Sequence, residues 1–452
     1  MGAAVNEAAR FCAILEAEGM MNTTYQTNSS VRRDPRLMRL RDFLVERISL
    51  EIADHPESER QNRRMVRKWM VDVLNATPAA DLSPALRDEV VDSALAELIG
   101  YGPLELLLGD AEISEIMVNG AANIFVERNG ELLETDLHFD NDEHLMRIIG
   151  RIVNPLGRGV DADNPVADAR LPDGSRVNVI IPPVAVDGPH LTIRKFLQTK
   201  MSMDELVEMG ALTHYMAKFL EACVVARLNI LVTGNTSSGK TTILSVLSSF
   251  IPERERIVTI EDAVELKLKQ RHVVRLETKL PGVDGRGAMS VRDLVRNALR
   301  MRPDRIVVGE VRGGEAMDML QAMNTGHTGS LTTLHANSPR DAIARLETMS
   351  MMAGLDMPLL AIRKQIAAAI NLIVHLARLS DGTRKMTYIT EVAGMEGDVV
   401  TLTDIFKFEQ MSVTPQGKVV GQLRSTGIRP LFSPRLDAAG YKLGGEVFGA
   451  GL

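Results

Sequence analysis

Apolar residues recur every three or four positions from about Asp34 to Ile99, as in Leu37, Leu40, Phe43 and Leu44, and again in Met65, Val66, Trp69, Met70 and Val73. That spacing gathers them on one helical face and predicts three amphipathic helices. Breaks fall at His55-Pro56 and between Ala76 and Ser83, where Pro78 and Pro84 punctuate the run. Gly100-Tyr101-Gly102-Pro103 closes this bundle. The pattern then changes to short strands over Glu115 to Val118, Asn123 to Arg128 and Leu132 to Asp136, with Asn129-Gly130 as a tight hairpin turn. Later strands, Val177 to Ile181 and His190 to Phe196, flank Pro182-Pro183. After Lys200 apolar strands alternate with helical stretches: Asn229 to Thr233, Thr241 to Phe250, Arg256 to Ile260, Val291 to Met301, Arg305 to Gly309 and Leu331 to Leu334. Such alternation predicts an α/β fold with a mainly parallel sheet and helices on both faces.

A chain of 452 residues exceeds one ordinary core, so several domains are expected. The divisions read as 1–33 disordered, or an extension ahead of a start at Met20 or Met21; 34–102 a helical bundle; 103–200 a small α/β domain; 201–452 a larger α/β domain with a C-terminal subdomain. The composition, 45% hydrophobic and 25% charged, is that of an average globular protein and excludes collagen-like and disulfide-scaffold classes. A net charge of -7 argues against a dedicated nucleic-acid binder. Cys12 and Cys223 form no Cys-x-x-Cys pair, which leaves no zinc site or disulfide framework and suits the reducing cytoplasm. The longest apolar stretch, Ala361 to Ala377, is interrupted by Arg363, Lys364 and His375, so no membrane span is expected. The first twenty residues do not read as a signal peptide.

The chemistry concentrates after Thr233. Gly234, Asn235, Thr236, Ser237, Ser238, Gly239, Lys240 and Thr241 match the phosphate-binding loop in full, between an apolar strand and an apolar helix that continues with Thr242. The glycines let the backbone wrap a phosphate, Lys240 supplies a point charge, and the Thr241 hydroxyl is placed for Mg²⁺, so ATP and Mg²⁺ are the expected ligands. Acids stand at the carboxyl ends of two later strands, Glu261-Asp262 and Glu310. One can orient the attacking water while another holds Mg²⁺ through water, and either can fill either role. His327 and His335 bracket a further segment and are candidate γ-phosphate sensors. Arg292, Arg296, Arg300, Arg302 and Arg305 hint at a nucleic-acid translocase, but their spacing along a helix points instead to pairing with acids at a subunit interface.

Four motifs in this order, the phosphate loop, Glu261-Asp262, the strand ending at Glu310, and the segment with His327 and His335, resemble the type II/type IV secretion ATPase superfamily. Leu171 to Asn178, Thr192 to Phe196 and the tail Ser425 to Pro430 are most similar to its CpaF-type branch, the Flp or tight-adherence pilus ATPases. The resemblance implies a small PAS-like N-terminal α/β domain, a RecA-like ATPase domain, and a homohexamer with nucleotide between the two domains. It also implies a bacterial cytoplasmic location, a polytopic inner-membrane platform as partner, membrane association only through that partner, and no direct nucleic-acid binding. Glu310 then corresponds to the Walker B acid, Glu261 to the Asp-box acid, and Arg176 and Arg194 to arginines that reach the phosphates. The sequence departs from some extension ATPases in lacking four cysteines for a zinc insertion. Conjugative type IV secretion and a nucleotide-gated scaffold with little turnover are the competing readings.

Overall fold

The computed structural model describes residues 24–25, 29–52, 62–76, 82–156, 159–196, 201–279 and 286–449, and element counts below are of these residues. The chain divides into two compact units after Leu197.

In the first unit, helices α1 (Pro35–Ile52), α2 (Arg63–Ala76) and α3 (Pro84–Ile99) carry the predicted stripes. Leu37, Leu44, Ile48, Val66, Met70, Leu74, Val90, Val91 and Ala94 share one core. Pro84 starts α3 instead of breaking a helix, because Ser83 caps the Leu86 amide and a first-turn proline lacks only an N–H the helix does not use. Within the stretch 1–33, expected to be disordered or an extension ahead of the start, the described residues include Thr24–Tyr25 (β1) and the one-turn helix Ser30–Arg33. Residues 1–23 lie outside the described residues.

A seven-stranded sheet follows, in the order β1-β4-β3-β2-β7-β6-β5. Its other strands are β2 (Ile113–Asn119), β3 (Asn123–Arg128), β4 (Glu131–Thr135), β5 (Val166–Arg170), β6 (Arg176–Ile180) and β7 (His190–Arg194). The β3–β4 turn falls at Asn129 and Gly130, both at positive φ (54° and 85°), the geometry that makes Asn-Gly a hairpin signal. Alternate residues of the strands, among them Ile116, Val118, Ile124, Val179 and Ile193, pack with Leu145, Ile148 and Ile152 of α4 (Asp142–Val153).

The second unit is built on a nine-stranded sheet, β10-β9-β11-β12-β8-β13-β14-β15-β16. The strands are β8 (Ile230–Gly234), β9 (Ile257–Glu261), β10 (Val273–Glu277), β11 (Arg305–Val308), β12 (Leu331–His335), β13 (Leu372–Arg378), β14 (Arg384–Glu396), β15 (Val399–Val413) and β16 (Val419–Ser425). From β10 to β13 all neighbours are parallel; β14, β15 and β16 are antiparallel additions that the alternation reading missed. Strands β8, β9 and β11 are buried throughout and read as plain apolar runs, whereas β15 and β16 leave most positions accessible and carry no such signal. One face is covered by α5 (His214–Val225) and α6 (Lys240–Ser248), the other by α7 (Val291–Ala298), α8 (Glu315–Asn324), α9 (Pro339–Met351) and α10 (Leu359–Ala369). The interrupted apolar stretch is thus α10 leading into β13, and no described helix is long and apolar enough to cross a membrane.

Candidate functional site

Strand β8 runs straight into the phosphate loop. Gly234 has φ +152°, and a Cβ there would overlap the Leu376 carbonyl oxygen and lie 2.6 Å from Ser238 Oγ, so no side chain fits where the loop leaves the sheet. Ser237 (φ 58°) and Gly239 (φ 96°) take left-handed backbone at the apex and at the start of α6. Such turns direct amides inward, and α6 adds its own orphan N–H groups behind them. The Ser238 hydroxyl donates to Asn235 O at 2.8 Å, and Arg384, from β14, donates its Nε to Ser237 O at 2.9 Å. Lys240, Thr241 and Thr242 form the first turn of α6, with the Thr241 side chain exposed.

Lys240 Nζ donates to Asn235 O at 3.0 Å and lies 3.4 Å from His335 Nδ1. An ammonium only donates, so Nδ1 is the acceptor and the ring proton sits on Nε2, which is 2.9 Å from Glu310 Oε1. Burial first, and Lys240 second, hold the His335 pKa below its ordinary value against the pull of Glu310, so the ring is neutral near pH 7. Glu310 Oε2 accepts from Arg312 Nε at 3.0 Å and Nη2 at 2.6 Å, while Arg312 Nη1 stands 3.3 Å from Asp262.

Glu261, at the end of β9, is buried, and its Oε2 accepts from the amides of Glu265 (2.8 Å) and Leu266 (3.0 Å). It packs against Gly309, where a Cβ would come within 3.0 Å of Glu261 Cγ. Gly309 is itself pinned, its N–H to Ile260 O (2.8 Å) and its carbonyl to the Thr333 hydroxyl (2.7 Å). The phosphate loop, Glu261, Glu310 and His335 therefore meet at the carboxyl ends of adjacent parallel strands, where open α/β sheets hold ligands.

No cluster of three His, Cys, Asp or Glu side chains able to cage a metal occurs among the described residues. The oxygen donors present, the Thr241 hydroxyl and the Glu310 carboxylate, fit Mg²⁺, which commonly takes few protein ligands and completes its shell with phosphates and water.

Other sequence-derived candidates lie elsewhere. His327 lies four residues before the amino end of β12, whereas His335 is the last residue of that strand, so the two stand toward opposite ends of it. Its carbonyl accepts from the Ser330 hydroxyl at 2.8 Å. Arg292 and Arg296 each bond Asp318 of their own chain at 2.8 Å, and Arg305 bonds Glu255, so these three do not need acids from another subunit. Arg176 and Arg194 belong to the first unit, where they are direct partners on β6 and β7. Arg170 on β5 is the partner of Arg176, which makes a row of three arginines continued by Glu115 and Glu127. Sequence reading passed over Arg170, although it and Arg176 flank the five-residue turn Leu171 to Ser175 symmetrically. It also passed over Arg312, Arg384 and His375.

The family model described as "Type II/IV secretion system protein" matches residues 97–418. A Mycobacterium tuberculosis (strain H37Rv) protein, assigned only provisionally by its name to conjugal transfer, is 37% identical over 313 residues, 68% of this chain and 88% of that protein. The type IV secretion system protein VirB11 of Bartonella henselae is 31% identical over 347 residues, covering 67% of this chain and 94% of its own. The crystal structure of the VirB11 ATPase of the Brucella suis type IV secretion system, in complex with sulphate, is 29% identical, covers 64% of this chain and 95% of its own, and superposes with a TM-score of 0.36. A match over that span, through both the arginine row and the whole phosphate-loop site, makes this chain a member of the type II/IV secretion system protein family.

Proposed function

We propose that the second unit binds Mg²⁺-ATP and hydrolyses it. The observation that carries this reading is the contact series from Lys240 through His335 to Glu310, laid beside a complete phosphate loop. Loop amides and the α6 N-terminus cradle the phosphates, and Lys240 leaves Asn235 O for the β- and γ-oxygens. Thr241 and, through water, Glu310 would hold magnesium, whose charge neutralises the phosphate oxygens. Glu310 is the better placed of the two acids to orient the attacking water, since its side chain is part-exposed beside His335 whereas Glu261 is buried. Glu261 has one oxygen already occupied by two backbone amides and acts as the anchor of the loop after β9. His335 reports the γ-phosphate by exchanging its contact with Lys240. Arg176 and Arg194, paired on β6 and β7 of the first unit, are assigned to phosphate contact by the family resemblance alone, as is the homohexamer.

Turnover powers assembly of a Flp or tight-adherence pilus through a polytopic inner-membrane platform, with the ATPase on the cytoplasmic side and held there by its partners. The branch-level motifs Leu171 to Asn178 and Ser425 to Pro430 support this finer reading. Conjugative type IV secretion is the second reading, favoured by the names of the M. tuberculosis and B. henselae relatives. Cells lacking the chain, complemented with wild type or Lys240→Ala, separate the two. Loss of surface pili restored only by wild type supports the pilus; intact pili with lost DNA or effector transfer supports conjugation. ATP turnover of the pure protein equal to that of Lys240→Ala, with platform proteins present, would leave only a nucleotide-gated scaffold.

A further inference from the structure

The hydrolysis chemistry leaves His375 unused, although it is a buried polar side chain in the middle of the sheet, 4% exposed. It lies on β13 and pairs in register with Thr233 of β8, the residue immediately before Gly234. Its Nδ1 is 2.9 Å from Thr233 Oγ1, and the ring also donates to the backbone of Asn337, two residues beyond His335. Burial is the main cause of a pKa pushed down to about 4, so the ring is neutral and carries one N–H. With that proton given to Asn337, Nδ1 is left to accept from the Thr233 hydroxyl, and both nitrogens are satisfied. The next residue, Leu376, supplies the carbonyl against which Gly234 packs.

The contacts close a circuit. From the strand entering the phosphate loop they run through His375 to Asn337, back along Ala336 to His335, and from His335 to Lys240 within the loop. Beyond Asn337 its amide is held by the Asp341 carboxylate at 2.8 Å, at the start of α9. Asn337 is therefore gripped on two sides, and His335 is suspended between that grip and the end of β12.

We propose that His375 is a positioning residue for hydrolysis: it ties the backbone after His335 to the strand that enters the phosphate loop, and so keeps His335 between Lys240 and Glu310. The inference rests on the reading of this unit as an ATPase. A side chain that must meet two partners at hydrogen-bond distance tolerates displacement of only a fraction of an ångström, and a supporting residue earns its effect through that tolerance.

The test is a double-mutant cycle on the full chain, measuring ATP turnover, nucleotide dissociation constant and thermal melting. The variants are His335→Ala, His375→Asn, their combination, and His375→Gln, whose amide reaches farther toward Asn337. We expect His335→Ala and His375→Asn each to lower kcat by roughly 10²-fold, as for displaced catalytic groups, with nucleotide affinity within about twofold. The combination should be no slower than His335→Ala alone, because both changes disable one element. His375→Gln should recover part of the loss. Losses that multiply in the combination, or nucleotide affinity that falls in step with kcat, would overturn the proposal and make His375 a general support of the sheet. If His375→Asn does not fold, Thr233→Val cuts the same circuit from its other end and carries the same comparison. Lys240→Ala separates the two levels: turnover unchanged there sinks the ATPase reading, whereas turnover abolished there with multiplying losses in the cycle sinks only the role of His375.

Discussion

The two edges of the second unit's sheet carry the same residue types to opposite ends. At the amino edge Arg305 is fully buried, bonding Glu255 through Nε (2.5 Å) and Nη2 (3.4 Å) and Gly329 O through Nη1 (3.1 Å). Arg227 adds a second cation at 3.1 Å from Glu255, and Asn229 stitches three strands by accepting from Gly329 and Ser330 and donating to Ala369 O. At the carboxyl edge Arg312 and Glu310 also pair, but the arginine side chain is 60% exposed and the cluster borders a loop of inward-turned amides. A buried pair satisfied on all sides fixes strands; a pair with one face in solvent can change partners when a ligand arrives. Exposure and what lies next to a charge, more than the charge itself, separate support from function.

The largest effect that would break this contrast lies at the amino edge. Arg305→Ala leaves Glu255 buried beside a single, half-exposed arginine and should cost about 3–5 kcal/mol in denaturant unfolding, while turnover per folded molecule persists. If Arg305→Ala left stability unchanged and removed activity, the two edges would have been assigned the wrong way round. Lys240→Ala should do the reverse, lowering turnover by roughly 10²–10³-fold with a melting temperature close to wild type. Glu310→Gln should follow it in turnover, whereas Glu261→Gln should affect melting as well, since its carboxylate holds two amides.

Acid sharpens the comparison further. His375 is neutral and buried, with a pKa pushed down by that burial to about 4 against 6.5 in the unfolded chain. The unfolded state binds the proton first, so this contribution to stability is complete above pH 6.5 and is lost as pH falls toward 4, by about 3 kcal/mol in all. Glu255 adds to the same limb: burial raises its pKa, but the bonds from Arg305 and Arg227 outweigh it and leave it lowered. Its contribution is present above the unfolded carboxylate pKa and disappears as pH falls below it. Unfolding midpoints of wild type and His375→Gln should therefore converge toward pH 4, and midpoints that stay parallel from pH 7 to 4 would contradict the buried neutral ring. The smallest expected effect is His327→Ala, which in the isolated subunit should shift stability by less than about 0.5 kcal/mol.

What was legible in the sequence follows from how local each signal is. The phosphate loop announces itself within eight residues, and Glu261 and Glu310 could be found because each ends a continuous apolar strand. Histidines 327 and 335 looked equivalent because one short strand separates them, and only the direction of that strand tells which of them faces the loop. Arg305 looked like the last of a helical series, yet it is the first residue of β11, and its partner Glu255 is 50 positions away. His375 and Thr233 are 142 positions apart, so neither carries a mark of the other. The antiparallel strands were invisible for another reason: half-exposed strands mix polar and apolar residues without the compact runs that betray buried ones.

Gly309 also has a consequence for how this chain can diverge. A Cβ at that position would stand 3.0 Å from Glu261 Cγ, so any larger residue at 309 must displace the Glu261 side chain by a few tenths of an ångström. Gly309→Ala should therefore lower the melting temperature, since the Glu261 carboxylate it pushes on holds two backbone amides. A shorter acid at 261 should relieve that displacement, so Gly309→Ala combined with Glu261→Asp should melt closer to wild type than Gly309→Ala alone.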